Sequence, residues 1–215
     1  MTPYYSDKWV TIYHGDCREI LPQLDVKVDL VLTDPPYGIK GEESIITTLK
    51  VLKLSYQKCL TMALIMDWRF AHRVCSLLEK HKVGELVWEY GWISGGRCKA
   101  KYGVLPTHNI IHLFGDVRRF HFLTGTIIKR DKGLSSPRQC SFANKTGHPY
   151  EKPIGLIKLL LNKIDCSTVL DSFLGSGTTT LAAKILGKKC IGIEIEEKYC
   201  EIAAKRCCQE VMELV

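Results

Sequence analysis

Short apolar runs and helical spacings take turns along this chain, and that alternation restricts its fold more than any other feature. Residues 10–13, 28–32, 64–66, 85–89, 109–114, 168–170 and 190–193 read as strands. Between them, apolar residues recur at helical spacing over 18–24, 45–60, 68–81, 154–162, 178–186 and from 197 to about 212. Strand then helix, repeated, implies an α/β fold with a mostly parallel central sheet and helices on both faces. A chain of 215 residues, 46% of them hydrophobic, can bury one good core, whereas two full domains would be cramped. One domain over 1–215 is expected.

Charge is distributed less evenly than hydrophobicity. Ten cations fall between Arg97 and Lys145, namely Arg97, Lys99, Lys101, Arg118, Arg119, Lys129, Arg130, Lys132, Arg138 and Lys145, against only Asp116 and Asp131. That segment carries +8, more than the +7 of the whole chain. Tyr102, Phe120, His121, Phe122 and Phe142 are interleaved with the cations. Two readings follow: a solvated basic face, or a surface for a phosphate backbone and unstacked bases. The amino-terminal residues lack an apolar signal core, and no apolar run approaches the roughly 20 residues of a membrane span, so a soluble, cytoplasmic protein is expected. Ten cysteines are scattered without a Cys-x-x-Cys pair, which suits a reducing compartment and no metal site.

In open parallel sheets ligands bind beyond the carboxyl ends of the strands. Three strand ends here are unusual. "DSFLGSGTTTLAAK" follows 168–170, with Asp171 at the tip, then Gly175 and Gly177, then a helix opening at Thr178. Such glycines let a backbone approach a ligand closely. The Gly-Lys-Thr/Ser of a phosphate loop is absent, and the third glycine of a dinucleotide loop is replaced by Thr180. Glu194 ends the next strand, where a carboxylate can accept both hydroxyls of a ribose. "LVLTDPPYGIK" ends the strand 28–32 in Asp34, Pro35, Pro36 and Tyr37. The prolines stiffen the turn and leave carbonyls without local N–H partners.

The glycine loop with its two acids resembles the S-adenosyl-L-methionine half of class I methyltransferases, and Asp34-Pro35-Pro36-Tyr37 matches the DPPY motif of amino-methyltransferases. Because DPPY precedes the glycine loop, the order resembles the permuted β class of DNA amino-methyltransferases, the N6-adenine/N4-cytosine family. The resemblance implies a Rossmann-like fold and a methyl transfer from S-adenosylmethionine to a flipped-out base. Asp34 and the Pro35 carbonyl would accept the two amino hydrogens, Pro36 would hold the turn, and Tyr37 would stack on the ring. "HGDCREILPQL" resembles the class's adenine-contacting segment, placing Asp16 and Cys17 at the cofactor. "HPYEKPIGLIKLLL" resembles the segment before the glycine loop, placing Lys152 beside the methionine end. Asp171, Phe173, Gly175, Ser176, Gly177, Thr178, Thr179 and Glu194 complete the implied cofactor site.

What remains between the matched motifs is short. Residues 116–147 form the implied target-recognition insertion, in which Gln139 or Asn144 could read adenine and the cations could read guanine or hold phosphates. "THNIIHLFG" resembles a late strand of the family, with His108-Asn109 where His-Glu is usual. Double-stranded DNA is the implied partner. A homodimer or accessory subunit would enlarge so small a contact surface. Adenine N6 is the favoured target, with cytosine N4, RNA, or a non-catalytic DNA-binding subunit left open.

Overall fold

The computed structural model describes residues 1–36, 42–66, 68–89, 108–121, 127–129, 148 and 151–209. Its strands are β1 (Tyr5–Ser6), β2 (Val10–His14), β3 (Val28–Thr33), β4 (Cys59–Met66), β5 (Lys82–Glu89), β6 (His108–Gly115), β7 (Ile127–Ile128), β8 (Thr168–Asp171) and β9 (Lys189–Glu194). All join one sheet in the order β1-β2-β9-β8-β3-β4-β6-β5-β7. From β2 to β4 the neighbours are parallel, β6 runs antiparallel to both β4 and β5, and β1 runs antiparallel to β2. The sheet is therefore mixed at its margins and parallel at its centre.

The central strands are mostly apolar on both faces because both faces are covered. Along β4, Ala63 and Ile65 join a core with α4 (Ile154–Lys163) and α5 (Thr178–Ile185), through Leu156, Leu160 and Ala182. Met62, Leu64 and Met66 point the other way, into a core with α1 (Cys17–Gln23), α2 (Glu42–Tyr56) and α3 (Trp68–Leu78). This period-2 division is what a strand between two helical layers requires. A third cluster packs Val10 and Ile12 against Leu174 and against Cys200, Ala203 and Cys207 of α6 (Glu197–Gln209).

Three expected boundaries are corrected. The helical spacing expected to run over 45–60 stops at Tyr56, and β4 starts at Cys59 rather than at residue 64. Backbone pairing decides this: Val28 donates to the Lys58 carbonyl and Cys59 pairs with Val28, so the chain is captured by β3 five residues before the apolar run begins. Leu60, which seemed to extend the helical stripe, is 53% exposed. The helix expected over 68–81 likewise tightens at its end into a 3₁₀ turn, Glu79–His81. The two-residue strands β1 and β7 are too short to leave a periodic signal.

Candidate active site

Strand order brings acids that are far apart in sequence to one edge. The strands β9, β8 and β3 are consecutive neighbours, so Glu194, Asp171 and Thr33, with Asp34 one residue beyond, lie side by side at the carboxyl ends. They border a cavity of about 420 Å³, a size suited to a nucleoside-bearing ligand. Its wall includes Asp16 and Cys17 from the start of α1, Asp34 to Pro36, Lys152, and the loop residues Asp171, Phe173, Gly175, Ser176, Thr178 and Thr179.

Each acid is held differently. Asp171 is 3% exposed, and its carboxylate accepts from the Thr33 hydroxyl at 2.6 Å, from the Phe173 amide at 3.1 Å and from the Thr179 side chain. Burial pushes its carboxyl up to about 6 against those bonds. Glu194 accepts the Gly175 amide at 2.7 Å on one oxygen and the Glu196 amide at 2.8 Å on the other. Burial also raises Glu194, against backbone donation from Glu196, Gly175 and Ile195, and the carboxylate keeps accepting capacity for a ligand hydroxyl. Asp34 is ion-paired with Lys152, so the residue just beyond β3 is tied to the segment leading into α4. Asp16 caps α1 through the Arg18 amide, while the Arg18 guanidinium grips both its oxygens and holds its carboxyl below the usual range. The Cys17 thiol is raised to about 12 by burial and stays neutral.

The two glycines of the loop have separate duties. Gly175 is left-handed at φ +56°, and a Cβ there would meet the His148 ring at 3.2 Å, so the loop and His148 close one wall of the cavity together. Gly177 does not line the cavity. At φ +81° it precedes α5, and a Cβ would stand 2.5 Å from that of Ala203, so this glycine serves close packing of α6 against the loop. Its neighbours Ser176 and Thr178 do line the cavity, so the packing of Gly177 sets where they stand.

The structure adds residues that sequence reasoning passed over. Thr47 and Val51 reach the cavity from α2, and Thr33, Arg18, His148 and Glu151 also border it. Thr33 had a signal, since it is the residue before Asp34 on the strand beside β8. Thr47 had none, because only packing turns that face of α2 inward. Tyr37 lies outside the described residues, as do Arg97, Lys99, Lys101, Arg130, Lys132, Arg138, Gln139, Asn144 and Lys145. Three cations of the basic segment are described, and they divide. Arg118 and Arg119 follow β6 at the opposite edge of the sheet from the cavity, since Gly115 pairs with Thr61 near the start of β4. Arg118 grips Asp116, and Arg119 bonds the Asp165 carbonyl at 2.9 Å and faces Asp29 and Asp165 carboxylates at 3.6 Å. At that end of the sheet both guanidinium groups are engaged by acids of the chain itself. Lys129, exposed after β7, lies at the cavity end of the sheet because β7 runs parallel to β5. Among the described residues no cluster of His, Cys, Asp and Glu could hold a metal ion, and no helix is long and apolar enough to cross a membrane.

The family model described as DNA methylase matches residues 87–205, more than half of the chain. The chain belongs to the DNA methylase family. The methylase is 44% identical to the type II methyltransferase M2.LlaDCHI of Lactococcus lactis subsp. cremoris, over 95% of this chain and 91% of that protein. It is 27% identical to the DNA adenine methyltransferase YhdJ of Escherichia coli (strain K12), over 94% and 84% of the two chains. In three dimensions the methylase superposes on the crystal structure of the M1.HpyAVI–SAM complex with a TM-score of 0.72, at 28% identity, covering 92% of this chain and 98% of the other. The Rossmann-like methyltransferase fold expected from sequence is the fold observed.

Proposed function

We propose that this DNA methylase methylates the exocyclic N6 of an adenine turned out of duplex DNA. Its cofactor is S-adenosyl-L-methionine, and the cavity suits that ligand: a glycine loop without lysine fits a ribose better than a phosphate, and Glu194 stands at the ribose-binding strand end. When bound, the cofactor supplies an electrophilic methyl group on a sulfonium. The chain's own residues do the rest. Asp34 and the Pro35 carbonyl accept the amino hydrogens of the base, which draws the nitrogen towards tetrahedral geometry and aims its lone pair into the cavity. Tyr37 would stack on the ring. Lys152 holds Asp34, and Asp171 fixes the loop through Thr33, Phe173 and Thr179. The observation that carries this reading is that Asp34 to Pro36 and the glycine loop line one cavity.

DNA would approach from the carboxyl end of the sheet, where Lys129 and the described residues on either side of 37–41, 90–107 and 130–147 lie. The recognition surface is small. The alignment with M2.LlaDCHI spans 259 positions against 215 residues here, so that relative carries segments this chain lacks. A second copy or an accessory subunit would supply the missing contacts. Incubation with methyl-labelled cofactor and unmethylated DNA or RNA, followed by nucleoside analysis, tests the target. Labelled N6-methyladenine from DNA is expected, whereas N4-methylcytosine, or label confined to RNA, would overturn the assignment.

A further inference from the structure

A guanidinium from the last helix sits at the centre of the contacts behind the cavity. Arg206 of α6 donates from Nη1 to the Ser176 carbonyl at 2.8 Å and also reaches the Ser176 hydroxyl at 3.2 Å and the Thr178 hydroxyl at 3.4 Å. Its Nη2 lies 2.9 Å from Glu151 Oε1, and the Arg206 and Glu151 side chains are only 18% and 12% exposed. Glu151 in turn lies 3.5 Å from the Thr178 hydroxyl. The next residue, Lys152, is ion-paired with Asp34. Two salt bridges therefore run through adjacent residues of one extended segment, one to Arg206, which bonds the glycine loop, and one to Asp34.

That adjacency creates a competition. Glu151 and Lys152 carry opposite charges and both line the cavity, so a carboxylate deprived of its guanidinium would attract the ammonium beside it. At such burial the attraction between neighbouring charges is only weakly screened. We infer that Arg206 is a positioning residue for methyl transfer: by occupying Glu151 it keeps Lys152 on Asp34, and so holds the catalytic carboxylate in place from a helix that touches neither substrate. The inference rests on the function proposed above. It adds a residue that the DPPY and glycine-loop motifs do not contain, and it links the two halves of the site through charge rather than through backbone.

The test is a cycle of variants on the full chain, with kcat, KM for S-adenosylmethionine, calorimetric cofactor affinity and thermal midpoint measured for each. Arg206→Met should lower kcat about tenfold or more, with a smaller change in cofactor KM. Removing the competing carboxylate as well, in Glu151→Gln/Arg206→Met, should restore most of that kcat, and Arg206→Lys should do the same by returning a cation. Should Arg206→Met not fold, Arg206→Gln, which keeps a polar side chain without the charge, replaces it with the same expected pattern. A double variant as slow as the single, or a loss confined to KM, overturns the inference by showing that Arg206 merely supports the loop. Wild-type protein that binds cofactor but methylates no nucleic acid would instead defeat the functional reading itself.

Discussion

Asp29 and Asp171 sit on the paired strands β3 and β8, at opposite edges of the same sheet, and they are treated in opposite ways. At the amino edge, Asp29 Oδ2 accepts from the Ser167 amide and hydroxyl at 2.9 and 2.8 Å and from the Thr168 amide and hydroxyl at 3.0 and 2.8 Å. Arg119 adds its charge at 3.6 Å. Burial alone would raise the Asp29 carboxyl, but these donors outweigh it and hold it at about 2. At the carboxyl edge, Asp171 has fewer donors and deeper burial, and is raised to about 6. An acid that fastens the fold is given a surplus of hydrogen-bond donors. One that shapes a ligand site is left under-solvated, at a cost in stability.

The largest effect that separates the two edges should come from Asp34. Asp34→Ala should lower kcat by roughly 10² to 10³, the loss typical of an acceptor or donor acting on the reacting group, while the thermal midpoint stays near that of the wild type. Turnover within a few fold of wild type would remove Asp34 from the chemistry. Glu194→Ala comes next: calorimetry should show cofactor binding weaker by roughly 1.5 to 3 kcal/mol, the value of a charge-assisted hydrogen bond. At the amino edge the pattern inverts. Asp29→Ala should cost about 2 to 3 kcal/mol of stability in urea unfolding, because four donors lose their acceptor, with kcat changed less than about twofold.

Acid titration sharpens the contrast, because the two aspartates have opposite linkage. The folded-state value of Asp29 is lowered, so its contribution of about 2 kcal/mol is present above about pH 4 and is lost as the pH falls towards 2. Asp171 is raised, so its ionised form costs stability above about pH 6, and that cost fades as the pH falls from 6 to 4. Unfolding of Asp171→Asn without cofactor should lose the pH slope between about 4 and 6 that the wild type shows. An unchanged slope would mean that another group carries it. The smallest effect concerns DNA. Lys129→Ala should reduce the salt slope of duplex binding by about 0.9, and Arg118→Ala at the far edge should leave it unchanged. Equal effects from both would place the duplex elsewhere.

How much of this was legible in the sequence varies by element. Asp34, Asp171 and Glu194 could be found because each follows an apolar run, and strands of that kind end at the ligand side of a parallel sheet. Their mutual proximity depends on the strand order β9-β8-β3, which the resemblance implied and periodicity alone could not give. The basic segment could not be divided from sequence, for a physical reason. Counting charge along the chain treats Arg119 and Lys129 alike, although the strand direction between them sends one to each edge of the sheet. Arg206 was invisible because its partners lie at positions 151, 176 and 178, and nothing in the pattern of α6 distinguishes it from the solvated cation Lys205.

The sheet also fixes when the protein can first exist as a working site. Strand β2 has β9 as its parallel neighbour, Val10 lying opposite Cys190, so a strand made at the start of synthesis waits for one made near residue 190. At the usual elongation rates that wait is on the order of ten to forty seconds. For most of it the nascent chain carries Asp34 to Tyr37 while Glu194 and α6 are still missing. Such distant pairings make for slow folding, and they leave the unpaired edge of β2 exposed while the ribosome finishes.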